Sequence, residues 1–211
     1  MKMRLSDRGL LEIAEHEGIV PAPYLDSVGV WTFGVGHTAA AGGFDPAKMK
    51  RGMPTNVEGA VNEALDLFRA DVAKYEARVN DAIKVPLNQH EFDALVSFDF
   101  NTGGIYKARL TRAINAGEHN ASRHFFGWLK PIEIRKRRTA EERLFVTGDY
   151  DGNGDLIPVW RVDENGKLRG QIKALRGSEV LERMLRKPSA SMRVQRTLWA
   201  LIMDFIKGLK R

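Results

Sequence analysis

The run from Thr55 to Pro86 constrains this chain more than any other stretch. Thr55-Asn56-Val57-Glu58 has the pattern of a capping box, in which two side chains satisfy backbone N–H groups left open at a helix start. Val57, Val61, Leu65, Phe68, Val72, Tyr75 and Val79 then recur at three- and four-residue spacing and form one apolar face. Pro86 has no N–H to continue the ladder and stops the helix. Asn88 with Glu91 opens the next one, which runs through Leu95 and Phe98. Shorter helices are expected over 108–116, 120–129 and 139–145.

Upstream, Ser6 caps a first helix with Leu10, Ile13 and Ala14 at helical spacing, and Gly18 ends it. From 24 to 36 the period changes to short alternating segments, with Asp26-Ser27-Val28-Gly29 as a turn. A loop of small and basic residues follows over 39–52. The pattern is α+β, a small β element followed by helices. Beyond Phe145 the texture changes again. A Gly/Asp turn over 149–155 leads to a hairpin over 159–172 around Asn165-Gly166, and a helix is expected over 176–185. Residues 187–191 read as a linker and 194–209 as an amphipathic helix. Three segments result: a first domain over 1–150, a hairpin-and-helix extension over 151–187 packed on the helical part of that domain, and an amphipathic C-terminal helix over 188–211.

Composition narrows the function. A chain of 211 residues, 43% hydrophobic and 28% charged, buries a sizeable core. It has no cysteine, which excludes disulfides and thiolate metal sites and suits a reducing cytoplasm. Charge appears within the first seven residues and no stretch reaches ~20 apolar residues, so neither a secretory signal nor a membrane span is expected. A net charge of +6 draws the chain to anionic polymers and surfaces. Zinc-finger spacing and aromatic-interleaved basic strands are missing, so nucleic acid is not the expected partner.

Glycoside hydrolysis needs one carboxylic acid to protonate the leaving oxygen, and usually a second carboxylate. Glu17 is placed for the first role. It follows Leu10, Ile13 and Ala14 at helical intervals, so it shares their apolar face, and it sits where the helix dipole is negative. Burial and dipole both favour the protonated form of a general acid. Taken alone, Glu17 reads as a semi-exposed helix-end residue. Glu12 and Glu15 read as solvated surface. Asp26 on its own is an Asx turn and Thr32 a strand former. The set carries the functional reading, since a carboxylate and a hydroxyl opposite an acid can hold and activate a water. Gly34-Val35-Gly36-His37 lacks the context of a phosphate loop. Its glycines point to close backbone approach, and His37 to a structural partner of a carboxylate. Asp149-Tyr150-Asp151-Gly152-Asn153-Gly154-Asp155 alternates oxygen ligands like a calcium loop, but Trp160 stands where the bidentate Glu belongs, so a solvated turn is expected and no metal site.

Glu17-Gly18, Tyr24-Leu25-Asp26 and Gly29-Val30-Trp31-Thr32-Phe33-Gly34-Val35-Gly36-His37 together resemble the catalytic signature of phage-type lysozymes, the endolysin muramidases. The Glu, Asp and Thr fall at that family's intervals of nine and six residues. Gly52-Met53-Pro54-Thr55, the run from Gln89 to Phe98, Phe100-Asn101-Thr102-Gly103 and Arg137-Arg138-Thr139-Ala140-Glu141 through Leu144-Phe145 also fit. The resemblance covers roughly residues 5–145. It implies a two-lobed lysozyme-like fold with a cleft between a small β lobe and a larger helical lobe. It implies hydrolysis of the β-1,4 bond between N-acetylmuramic acid and N-acetylglucosamine in peptidoglycan, without a cofactor, for lysis of a bacterial host. Glu17 is then the acid, and Asp26 and Thr32 position the attacking water, with inversion at the anomeric carbon. Inversion asks for carboxyls ~6.5–9.5 Å apart. Thr38 and Phe100 become candidates for substrate binding. A monomer is expected, made in the host cytoplasm and released to the wall by a holin, by another export route or by packaging in the virion.

Two rivals stay open. A lytic transglycosylase would cut the same bond with one acid and no water, leaving Asp26 and Thr32 idle. A non-catalytic wall-binding module would have no use for the set. The final helix adds a further expectation. Leu198, Leu201, Ile202, Phe205, Ile206 and Leu209 form an apolar stripe flanked by Arg193, Arg196, Lys207, Lys210 and Arg211. Such a helix can dock on the helical core or lie against an anionic membrane.

Overall fold

Ser6 opens the first helix as expected in the computed structural model, which describes residues 2–150 and 156–185. Its hydroxyl accepts from the N–H of Gly9, and helix α1 (Asp7–Glu17) ends at Gly18, whose N–H returns to the carbonyl of Ala14. Strands β1 (Val20–Leu25), β2 (Trp31–Gly34) and β3 (His37–Thr38) form an antiparallel sheet in that order. β1 begins four residues before the alternating pattern expected from the sequence. Pro21 and Pro23 hide it, because they contribute no ladder donors, and the register between Val20↔Gly34 and Tyr24↔Thr32 is irregular there.

The long helix α2 (Val57–Ala82) and α3 (Gln89–Thr102) follow. The α2 cap differs from the expected box. Asn56, rather than Thr55, accepts the N–H of Gly59. Glu58 does not fold back as a box would require, because Lys173 and Arg183 both hold its carboxylate. At α3 the expected box forms, with the Asn88 N–H donating to Oε2 of Glu91. Helices α4 (Arg109–Asn115) and α5 (Arg135–Thr147) come next, with 3-10 turns at Ala121–Gly127 and Ile132–Ile134 between them. A second antiparallel pair, β4 (Leu156–Val162) and β5 (Leu168–Arg176), leads into α6 (Gly177–Leu185). The α+β expectation holds, and the hairpin and the helix after it lie where the texture of the sequence changes. The cation-loop residues 151–155, the linker and the amphipathic C-terminal helix lie outside the described residues.

The described chain divides into two compact units. One comprises residues 2–18, 69–150, 156–158 and 174–177 and is mainly helical. Its core stacks aromatic edges: Phe98 meets Phe125 at 5.6 Å and Trp128 at 5.7 Å between ring centroids. Ile13, Phe92, Leu95 and Leu110 are buried in the same unit, all at most 1% exposed. Each side chain of this size contributes roughly 1.5–3 kcal/mol on burial.

The other unit comprises residues 19–68, 159–173 and 178–185. Here the three-stranded sheet packs on the first half of α2. Gly34, at φ +67°, lies so close that a Cβ would stand 3.0 Å from that of Ala64. Gly34 thus serves a close backbone neighbour. Backbone bonds join the hairpin to β1, through Trp160 N–H to Ile19 O (2.9 Å) and Leu25 N–H to Gly166 O (2.8 Å). Arg183 adds a tie to Glu58, on the first turn of α2.

Candidate active site

Glu17 closes α1 beside fully buried Ile13 and Ala14, and its side chain is 21% exposed. What the sequence did not announce is its partner. Nη1 of Arg137 donates to Oε1 of Glu17 at 2.5 Å. The same guanidinium donates through Nε to Oε1 of Glu141 (3.0 Å) and through Nη2 to the carbonyl of Ser97 (3.3 Å). Arg138 holds the other oxygen of Glu141 and the side-chain carbonyl of Asn101. Ser97 donates its hydroxyl to Glu141 at 2.8 Å. Arg137, Arg138 and Glu141 are at most 6% exposed, so α5 buries two cations against two carboxylates. Charges out of water persist only when paired this way.

Burial is the largest single influence on the titration of Glu141, Arg138 and Arg137. It pushes the Glu141 carboxyl up, opposed by the two arginines, and it pulls Arg138 down. Burial also works against the charge on Arg137, but Glu17 and Glu141 outweigh it and hold its pKa above the ordinary arginine value. His16, one residue before Glu17, falls to about 3 through burial and the nearby charges of Arg137 and Arg138, so it is a neutral imidazole. Glu12 and Glu15 do not behave as solvated surface: Glu12 is 6% exposed and Glu15 half-buried. The helix is more enclosed than its three-residue apolar stripe suggests.

Asp26 and Thr32 belong to the sheet unit and meet at Val30. Oδ1 of Asp26 accepts the N–H groups of Val28 (3.0 Å) and Val30 (2.8 Å), which is the expected Asx turn. The Thr32 hydroxyl donates to the carbonyl of Val30 at 3.1 Å and is 2% exposed. One turn residue therefore fixes both side chains. Thr38 lies opposite Thr32 in the β2–β3 register. Phe100 meets Tyr75 in the helical unit in a tilted contact, 5.0 Å between ring centroids. The Tyr75 phenol is pushed up by burial, then by Asp71 and Asp99, with a smaller contribution from Glu17. His37 makes contacts of a structural kind. Its Nε2 contacts the carbonyl of Phe44 at 3.1 Å and its ring stacks on that phenylalanine.

Sequence reasoning gave Arg137, Arg138 and Glu141 no role. The signal was there: Arg137, Glu141 and Leu144 lie at helical intervals on one face of α5, and Leu144 is buried. A run of four basic residues, 135–138, masks it by reading as a solvated surface. Among the described residues no cluster of His, Asp or Glu suits a metal ion, and no helix is long and apolar enough to cross a membrane.

A family model described as phage lysozyme matches residues 14–142. The endolysin of Acyrthosiphon pisum secondary endosymbiont phage 1 is 32% identical over 157 residues, covering 68% of this chain and 98% of that protein. The endolysin of Salmonella phage P22 is 32% identical over 152 residues, covering 69% and 99%. Among solved structures, an endolysin from Escherichia coli O157:H7 phage FAHEc1 superposes with a TM-score of 0.59 at 33% identity, over 72% of this chain and 98% of that one. The muramidase domain of SpmX from Asticaccaulis excentricus gives a TM-score of 0.55 at 27% identity, over 68% and 98%.

Proposed function

The chain belongs to the phage lysozyme family, and from that premise we propose that it is an endolysin that hydrolyses the β-1,4 bond between N-acetylmuramic acid and N-acetylglucosamine in bacterial peptidoglycan, with Glu17 as general acid and Asp26 and Thr32 holding the water. Residues 1–150 form the catalytic domain of this reading. Glu17 protonates the leaving oxygen, and Arg137 fixes its carboxyl through Oε1.

The observation that carries the hydrolytic reading is the shared anchor of Asp26 and Thr32 at Val30. Oδ1 of Asp26 is taken up by the turn, which leaves Oδ2 for a ligand. The Thr32 hydroxyl spends its hydrogen on Val30, so it meets a water only as an acceptor. Two acceptors bind both hydrogens of one water and leave its lone pair for the anomeric carbon. Attack on the face opposite the leaving oxygen inverts that carbon. Thr38, beside Thr32, and Phe100, on Tyr75, contact the glycan. A transglycosylase needs no such water site, and a wall-binding module needs neither acid nor water.

The comparisons with endolysins support a peptidoglycan substrate and action at the wall. In this reading a holin releases the chain from the cytoplasm. A monomer suffices, because each role falls within one chain. The basic amphipathic segment within 188–211 serves contact with the anionic envelope in this reading. Mass spectrometry of peptidoglycan digested by the purified chain tests the proposal. Hydrolysis leaves free reducing muramic ends. Anhydro ends would identify a transglycosylase, and undigested walls a binding module.

A further inference from the structure

The β4–β5 hairpin lies outside the residues that the family model matches, yet it is built onto the strand leading to Asp26. The Leu25 N–H donates to the carbonyl of Gly166, one residue before Asp26. Gly166, at φ +79°, backs onto the Trp31 ring so closely that a Cβ there would stand 2.5 Å from it. Arg51 covers that ring at 3.4 Å from its centroid. The hairpin turn is therefore a fixed wall beside the Asp26 turn.

Between the two turns lies an open pocket of about 650 Å³, with Leu25, Asp26 and Ser27 on one side and Asn165, Lys167 and Leu168 on the other. That volume is within the range of small-ligand sites. Leu25 and Leu168 are 38% and 40% exposed, which gives the pocket apolar surface that no core covers. Lys167 is the one cation and Asp26 the one carboxylate among its lining residues. Of the hairpin's cations, Arg169 pairs with Asp163 at 2.8 Å and Lys173 with Glu58. Lys167 is exposed and pairs with no carboxylate among the described residues.

We infer that this hairpin turn adds a subsite for the acidic stem peptide carried by the muramyl residue next to the cleaved bond. The inference rests on the glycan-hydrolase reading, which brings a muramyl residue to Asp26. The sugars of the strand are neutral, whereas the stem peptide brings carboxylates, amide groups and alanyl methyl groups. Lys167 meets a stem carboxylate, Asn165 bonds the peptide amides, and Leu25 and Leu168 cover the methyl groups. An exposed ion pair of this kind is worth a few-fold in affinity and is screened by salt.

The test compares the full chain and its Lys167→Glu variant on two substrates: native peptidoglycan, and the same material with its stem carboxylates converted to amides. At low salt the wild type should have a KM about three- to five-fold lower on the acidic substrate than on the amidated one. Lys167→Glu should abolish or reverse that preference with little change in kcat, and Lys167→Arg should keep it. Equal KM values for the wild type on both substrates, or the same preference in Lys167→Glu, overturn the subsite. If the wild type releases no reducing ends from either substrate, the hydrolase reading itself fails and the subsite falls with it.

Discussion

Replacing Arg137 by Met removes the guanidinium from the centre of the buried cluster while keeping most of the stem volume. Three bonds disappear, to Glu17, Glu141 and the carbonyl of Ser97. Breaking one side of a buried ion pair costs about 3–5 kcal/mol, because the carboxylate left behind is desolvated without its partner. Two details place this case near the lower end. Glu141 keeps Arg138 and the Ser97 hydroxyl, and Glu17 is exposed enough to recruit water. About 3 kcal/mol in a chain of this size lowers Tm by roughly 6–12 °C. Urea unfolding at pH 7 with an unchanged m-value should report the loss directly. Combining Arg137→Met with Glu141→Gln should cost at least about 1 kcal/mol less than the sum of the single changes, since the two groups share one network. A variant within about 1 kcal/mol of wild type, or strict additivity in the cycle, would refute the claim that Arg137 neutralises the cluster.

His16 gives a pH signature. Folded, it stays neutral down to about pH 3, whereas unfolded it takes up a proton near 6.5, so folding stability drops as pH falls below that value. Between pH 7 and pH 5 its share is at most about 2 kcal/mol, and His16→Gln should flatten the stability profile by that amount; an unchanged slope contradicts the assignment. Asp26→Asn keeps an oxygen to cap the turn but loses the charge, so it should fold normally and slow wall hydrolysis by about 10²-fold. Thr32→Ala should cost about tenfold, the worth of one hydrogen bond to the water; in both variants a weaker wall affinity with unchanged turnover would make these residues sugar contacts instead. Gly166→Ala should lose about 2 kcal/mol, from the positive φ and the Trp31 ring together, and a thermal melt coincident with wild type would show that the hairpin is not seated on that ring.

Much of the fold was legible because it rests on local signals. Ser6 and Gly18 bracket α1, Asn88 and Glu91 open α3, and Gly166 falls in the turn of the second hairpin. The misses came where distant residues overrode those signals. Glu58 is drawn away from the helix start by Lys173 and Arg183, more than a hundred residues later in the chain. Strand β1 hides behind two prolines. The Asx turn at Asp26 was readable for the same local reason as the caps. The salt-bridge partner of Glu17 was not, because it lies 120 residues away on a helix whose basic run imitates a solvated face. Helix dipole and apolar neighbours were the only influences on Glu17 that sequence spacing could supply. The guanidinium that holds it requires the tertiary fold.

Turnover of purified peptidoglycan by Glu17→Gln tests the central claim most directly. The glutamine preserves the shape of the side chain and can still accept from Arg137, so the variant should fold and bind walls like the wild type. It cannot deliver a proton to the leaving oxygen. Release of reducing muramic ends, counted per enzyme under saturating substrate, should fall by more than about 10²-fold. Near-wild-type release by a folded Glu17→Gln protein would show that the acid of this reaction is another residue.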